Sequence, residues 1–427
     1  MLYSKGNLLA DTVLIILGGI IALGFLGHLF FDRTKIPDII FLIGIGLLLG
    51  PALKIVPPEA VRPAMPYFGA IALAIILFEG GLDLDLYHVM GQAGRALLLL
   101  FLSFGLSLVL LYFALSVGLE ITGIPGWATA VALSCTSAPI LIPILAKIVP
   151  ASPLRPLIAT ESSLSDALAV ILVLSILQVE STAIYGHILA ANFLLDVAVS
   201  LVLALLAGWF WLWMLSHFSQ RPFFSFLTVG FVFLLVGLIE SLGGSGAVAA
   251  LAFGVALSNG EAFAGLWGPR NRDRIAASFR DHHLLLDPKI RGAQAEISLL
   301  VRSFFFVYMG VVFQGFGLDA VGWLTTAAIF MLILAARFLA VRLLALVTHT
   351  PLEDQLLLTA MISRGLATAV LASIIASHWE EYASPIRTIT FLIIVLSNIW
   401  MTGIIFMGQR TKREAALKQK TDSAESV

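Results

Sequence analysis

Glu161 and Asp166 lie five residues apart inside PLIATESSLSDALAVILVLSILQ (156–178), a stretch otherwise apolar enough to cross a bilayer. Roughly 20 residues rising ~1.5 Å each cover the ~30 Å of hydrocarbon. A carboxylate at that depth costs a few kcal/mol, so an ionisable residue there is by default a candidate functional group. On a helix, Ser162 and Asp166 are four apart and share a face, with Ser163 three residues from Asp166. An acid flanked by hydroxyls presents hard oxygen ligands to a small cation and a base to a proton. Asp166 is therefore the expected point at which the two compete.

A second buried charge sharpens this expectation. Arg337 sits deep in AIFMLILAARFLAVRLLALV (328–347), while Arg342, nearer the end, can snorkel to the interface. A guanidinium left unpaired in a low-dielectric interior costs several kcal/mol. Glu161 is the expected partner, which leaves Asp166 as the free acid of the central helix. A carboxylate so placed can trade its proton for a cation. Glu79, in ILFEGGL (76–82), either lines a cytoplasmic funnel or caps its helix. Arg302 and Glu296 fall near the start of a span and read as interfacial. Glu240, before Gly243-Gly244, reads as a helix end at the outer face. Trp209, Trp211 and Trp213 read as an aromatic interface belt.

Two interrupted helices must position these groups. Thr136-Ser137-Ala138-Pro139 falls in the middle of an apolar span, with Pro143 one turn on. Proline removes a backbone donor and clashes with the carbonyl four residues back, so this helix should break. Ser363-Arg364-Gly365 marks a second break in the span seven further along, which runs in the opposite direction. Paired interruptions in halves of inverted topology point to a transporter site near the bilayer midplane.

The rest of the chain suits that setting. Of 427 residues, 59% are hydrophobic and only 12% charged, and the mean hydropathy is +1.01. A soluble protein of this size keeps about 25% charged residues, so the expected class is an all-α polytopic membrane protein. The net charge of −1 gives no reason to expect a nucleic-acid partner. Cys135 is the single cysteine, which excludes an intrachain disulfide and a cysteine metal cluster. No nucleotide-binding motif appears, and the N-terminal MLYSKGNLLAD reads as the start of a first anchor rather than a cleaved signal.

Hydropathy places thirteen spans near 10–31, 37–53, 66–83, 93–119, 126–147, 156–178, 187–216, 223–243, 245–259, 295–316, 320–348, 354–378 and 384–408. The short ones, 37–53 and 245–259, carry the weakest signal. With the N-terminus outside, the inner loops and tail collect seventeen Lys and Arg against three outside, so the expected orientation is N-out, C-in. The long 260–294 loop carries Arg270, Arg272, Arg274 and Arg280 and reads as a cytoplasmic surface. His282 and His283 within it read as solvated residues, because adjacent positions do not face one another on a helix. The 409–427 tail is polar and too short for a regulatory domain.

With these residues in view, the chain resembles the monovalent cation/proton antiporter superfamily, nearest the NhaP and sodium/proton exchanger branch. IPDIIFLIGIGLLLGP (36–51), ILFEGGL, GGSGAVAALAFGVALSN (243–259), SFFFVYMG (303–310), ARFLAVRLL (336–344) and SRGLATAVLA (363–372) follow in the family's order. The resemblance implies an NhaA/NapA-like antiporter fold of about 13 transmembrane helices, with an inverted repeat and two crossed, interrupted helices. Glu161 and Asp166 match the central-helix glutamate and the ion-binding aspartate. Ser162 matches a hydroxyl ligand, Thr136 the threonine of the unwound helix, Arg337 the arginine that pairs with the glutamate, and Arg364 the arginine of the second broken helix.

The implied domains are panel helices 1–3 over 1–92 and core helices 4–6 over 93–178. A bridging helix follows over 179–222, then panel helices 8–10 over 223–316, core helices 11–13 over 317–408 and the 409–427 tail. The panel would form a homodimer in a bacterial inner (cell) membrane. The chain departs from the branch at two places: Ser165-Asp166 stands for Asn-Asp, and Thr136-Ser137 for Thr-Asp. Hydroxyls thus replace an amide and an acid, which leaves Na⁺ and K⁺ both open as substrate.

The expected function is secondary, electroneutral one-for-one exchange of Na⁺ or K⁺ for H⁺ by alternating access at Asp166. Ser162, Ser165, Thr136 and Ser137 would be ligands. No cofactor, and no metal beyond the transported ion, is called for. One alternative is a gated K⁺ efflux pathway, against which the lack of a C-terminal nucleotide-binding motif argues. Another is an intramembrane serine protease built on Gly243-Gly244-Ser245-Gly246. The nearest bases for that reading, His217 and His378, lie at a span's end or in a loop, so a glycine-rich turn explains the motif better.

Overall fold

The computed structural model describes residues 2–34, 36–84, 86–148, 154–181, 186–218, 223–260, 288–313 and 320–425. The described residues are helical, joined by short turns. The helices are α1 (Leu2–Thr34), α2 (Asp38–Leu47), α3 (Pro58–Val61), α4 (Met65–Leu82), α5 (Leu86–Leu119), α6 (Gly123–Ser134), α7 (Ala138–Ile148) and α8 (Leu154–Ser181). They continue with α9 (Gly186–Phe218), α10 (Phe224–Ser241), α11 (Gly246–Ser258), α12 (Pro288–Val312), α13 (Ala320–Thr348), α14 (Leu352–Ala360), α15 (Leu366–His378) and α16 (Ala383–Glu425). Each expected span falls on one helix, or on an interrupted pair: α6 and α7 for 126–147, α14 and α15 for 354–378. Among the described residues eight segments are long and apolar enough to cross a membrane, and Asp38–Ala52, Phe226–Ser241, Gly246–Ser258 and Leu366–His378 are shorter apolar helices.

The weakly signalled span 245–259 is α11, and it is short because it packs against protein along its whole length. Ala247, Ala249, Ala250, Phe253 and Ala256 are all buried. Its closest neighbour is α4, where a methyl group at Gly254 would meet the Phe78 carbonyl and one at Gly81 the Leu251 carbonyl. Small residues let membrane helices approach at backbone distance, where dispersion between close-packed atoms replaces the missing hydrophobic drive. By contrast, α9 leaves Leu195, Val199, Val202 and Leu206 exposed, an apolar face suited to lipid.

The first break falls within the expected stretch, at Thr136-Ser137; Pro139 is the second residue of α7, where no intrahelical N–H is required, and Pro143 lies inside α7 without ending it. One reading needs correction. Trp211 is no belt residue. It is buried, stacks on Phe231 with centroids 4.1 Å apart, and donates its indole N–H to Thr228 at 3.1 Å; Trp209 and Trp213 remain exposed. Arg302 pairs with Asp38 at 3.1 Å, both side chains largely buried, and ties α12 to α2. Arg342 is exposed as expected and donates to Gln355. Helix α16 runs on past 408 to Glu425, so the polar tail continues a helix. The His282-His283 pair and its neighbouring arginines lie outside the described residues.

Candidate ion-binding site

Where a membrane helix breaks, backbone groups lose their partners and must find others inside the protein. Helix α6 stops at Ser134 because Cys135 turns extended, with φ −74° and ψ 152°. Thr136 and Ser137 follow before α7 begins at Ala138. The central helix α8 supplies what the break lacks. The Thr136 N–H donates to Ser165 Oγ at 3.0 Å. The Ser165 hydroxyl also lies 3.1 Å from the Thr136 carbonyl, 2.9 Å from Thr136 Oγ1 and 2.9 Å from the Ser162 carbonyl.

The second break spans residues 361–365 between α14 and α15, and the two breaks touch. The Ser137 N–H donates to the Ser363 carbonyl at 3.0 Å. A methyl group at Gly365 would run into the Ser137 side chain, so only glycine permits this crossing. Arg364 is 2% exposed. Its Nε donates to the Leu133 carbonyl at 2.8 Å, satisfying the frayed end of α6, and its Nη1 to the Ile362 carbonyl at 2.9 Å. The guanidinium thus serves as glue for the unwound backbone.

Glu161 and Arg337 form the expected pair. Nη1 reaches Oε1 at 2.8 Å and Nη2 reaches Oε2 at 3.3 Å, with both side chains 2% exposed. Arg337 further donates from Nε to the Leu358 carbonyl at 2.9 Å and from Nη1 to Ser103 Oγ at 3.2 Å. One bidentate pair therefore joins α13 and α8 and reaches the end of α14. Thr136 Oγ1 donates toward Glu161 Oε1 at 3.3 Å, so the pair also steadies the first break.

Asp166 is different. Its side chain is buried on α8, beside the Cys135 thiol and the backbone N–H of Ala138, the first residue of α7. A helix N-terminus there favours a negative charge. Yet Oδ1 is buried without a hydrogen-bond partner, as is the Ser163 hydroxyl. Buried polar atoms are normally paired, so an unpaired carboxylate oxygen at this depth needs an explanation. A carboxylate in this position can take up a proton or a desolvated cation.

Of the residues singled out from sequence, Asp166, Ser162, Ser165, Thr136, Ser137, Glu161, Arg337 and Arg364 converge on the crossing. The Ser162 hydroxyl lies 3.5 Å from Thr136 Oγ1. Glu79 is half-buried and accepts from Ser298 Oγ at 3.1 Å, which links α4 to α12. Ser245 of the Gly-Gly-Ser-Gly motif caps α11, accepting from the Val248 N–H at 3.3 Å, while its own N–H donates to Ser200. That is the role of a turn residue. Sequence reasoning missed Cys135, Ser103, Ser397 and Asn398. An amide inside the apolar run ITFLIIVLSNIWMTGIIF (389–406) was the available signal for Asn398; nothing distinguished Ser103.

Three comparisons bear on this arrangement. The family described as sodium/hydrogen exchanger, transmembrane, matches residues 18–407. The Na(+)/H(+) antiporter 1 of Methanocaldococcus jannaschii is 24% identical over 308 residues, which is 69% of this chain and 67% of that protein. The solved structure of the sodium proton antiporter MjNhaP1 from the same organism, at pH 8, superposes with a TM-score of 0.73 at 22% identity, over 93% of this chain and 98% of that one. A second MjNhaP1 structure, from electron microscopy, gives 0.72 at 20% identity over 93% and 97%. With a family match spanning nearly every helix, the chain belongs to the transmembrane sodium/hydrogen exchanger family.

Proposed function

We propose that this protein exchanges a monovalent cation, Na⁺ or K⁺, for H⁺, one for one, with both ions competing for Asp166. The observation that carries the reading is the unpartnered Oδ1 of Asp166 in a cluster where the neighbouring Glu161 is neutralised by Arg337. Glu161 is occupied structurally, so a single acid titrates against the cation. That supports electroneutral exchange. Ser162, Ser165, Thr136 and Ser137 would supply oxygens, with unwound backbone carbonyls beside them.

The placement of space supports alternating access. A cavity of about 450 Å³ lies among Met65, Leu73, Glu240, Ser377 and Arg387, and a smaller one of about 90 Å³ among His28, Asp38, Ile140 and Arg302. Asp166 lines neither of them and is 5% exposed. Exchange then requires a core of 93–178 and 317–408 to shift against a panel of 1–92 and 223–316, bridged by 179–222. In this reading the panel also forms the homodimer. The N-terminus lies outside and the C-terminus inside a cell membrane.

The test is a pH-dye assay on proteoliposomes receiving Na⁺, K⁺ or Li⁺ in turn. The wild type should move protons on addition of at least one of these ions, and Asp166→Asn should fall to the level of empty liposomes while retaining its detergent melting temperature. Cation-driven proton movement that survives in Asp166→Asn would remove Asp166 from the mechanism.

A further inference from the structure

Two tripeptides recur in the central helices of the two halves: Leu164-Ser165-Asp166 on α8 and Leu396-Ser397-Asn398 on α16. Each meets the interrupted helix of its own half. Ser165 accepts from the Thr136 N–H of the first break at 3.0 Å, and Ser397 accepts from the Arg364 N–H of the second at 3.2 Å. The residue after each serine differs. Asp166 leaves an oxygen unpartnered. Asn398, wholly buried, uses both ends of its amide: Nδ2 donates to the Arg364 carbonyl and to the Ile394 carbonyl, each at 2.8 Å, and Oδ1 accepts from Ser363 Oγ at 2.8 Å.

We infer that Asn398 is the repeat counterpart of Asp166 and acts as a positioning residue for the cation site, clamping the second break so that the Ser363 carbonyl holds Ser137 and the first break in place. The chain of contacts is short. Asn398 grips Ser363 and Arg364, the Ser363 carbonyl takes the Ser137 N–H, and Ser137 adjoins Thr136. Only a side chain with a donor at one end and an acceptor at the other satisfies both contacts. A carboxylate there would repel the Arg364 carbonyl, whereas a protonated carboxyl would restore the donor.

This rests on the antiport reading above, and the test separates the two. Apparent KM and maximal rate for the transported cation are measured in proteoliposomes from pH 6 to 9, on wild type, Asn398→Asp, Asn398→Ala and Thr402→Val. Thr402 lies one turn on and its hydroxyl donates to the Asn398 backbone carbonyl, so it controls for disturbance of α16.

Asn398→Ala is expected to raise the KM about tenfold with a smaller change in maximal rate, as loss of binding geometry should. Asn398→Asp should lie near wild type at the acid end and lose cation affinity progressively as pH rises, a pH dependence that Asn398→Ala lacks. Thr402→Val should match wild type. Should Asn398→Ala fail to fold, the near-isosteric Asn398→Asp profile decides alone. A wild type that transports while Asn398→Asp shows an unchanged KM and pH profile overturns the inference. A wild type that moves no cation at all overturns the antiport reading instead.

Discussion

The two interruptions solve one problem with opposite electrostatic results. At the second break, residues 361–365, every contact described is closed: Asn398 and Ser397 take up backbone groups, and the Arg364 guanidinium fills the gap to α6. At the first break, residues 135–137, hydroxyls of α8 close the backbone, but a carboxylate oxygen of Asp166 stays without a hydrogen-bond partner. A finished polar network specifies one geometry, while an unfinished one is high in energy until something completes it. In the proposed reading, the second break supports and the first takes the ion. The buried arginine at the crossing serves the backbone, its Nε and Nη1 donating to carbonyls, and a guanidinium offers no acceptor to a cation.

The comparison can be broken most severely at the buried ion pair that serves both breaks. Arg337→Ala leaves Glu161 charged and unpaired, and should cost about 3–5 kcal/mol. Loss of folded protein is expected, read as yield and melting temperature in detergent, and normal stability would contradict the pairing. A second prediction concerns competition at Asp166. A falling pH on the cation side fills the site with protons, so below the pH at which Asp166 takes up its proton the apparent KM for the cation should rise about tenfold per unit, with the maximal rate unchanged. A KM independent of pH in initial-rate measurements would show that proton and cation bind at separate places.

The smallest effect concerns the backbone of the first break. Ser165→Ala leaves the Thr136 N–H without its acceptor and should destabilise by about 1–3 kcal/mol. The matching Ser397→Ala should do less, because Asn398 still holds Arg364 on the carbonyl side. Equal losses, measured as melting temperatures, would erase the distinction drawn between the two breaks.

Much of this was legible before any coordinates. Asp166 and Glu161 stood out because charge inside an apolar run has few innocent explanations, and Arg337 followed by the same reasoning. The positions of the spans came from hydropathy, and even α11 appeared where its short apolar run placed it. The sequence fell short where the partner, rather than the residue, decides the role. The pairing of Arg302 with Asp38, more than two hundred residues away, could not be seen in the sequence. Trp211 read as a belt residue because its neighbours in sequence are exposed and only Phe231 and Thr228 bury it. The break at Thr136-Ser137 was legible from its stretch, although Pro139 itself sits in the first turn of α7, where proline costs nothing.

The amino-acid sequence alone determined which residues are too expensive to bury without purpose, since the free energy of placing a charge in hydrocarbon belongs to the residue and its depth. It also determined the inverted order of the two halves. The pairing of Glu161 with Arg337 followed from the same cost. The tertiary structure decided what closes the rest: Ser103 and the Leu358 carbonyl around Arg337, and Asn398 at the second break, are partners brought in by the packing of separate helices, which leaves no local trace in the chain.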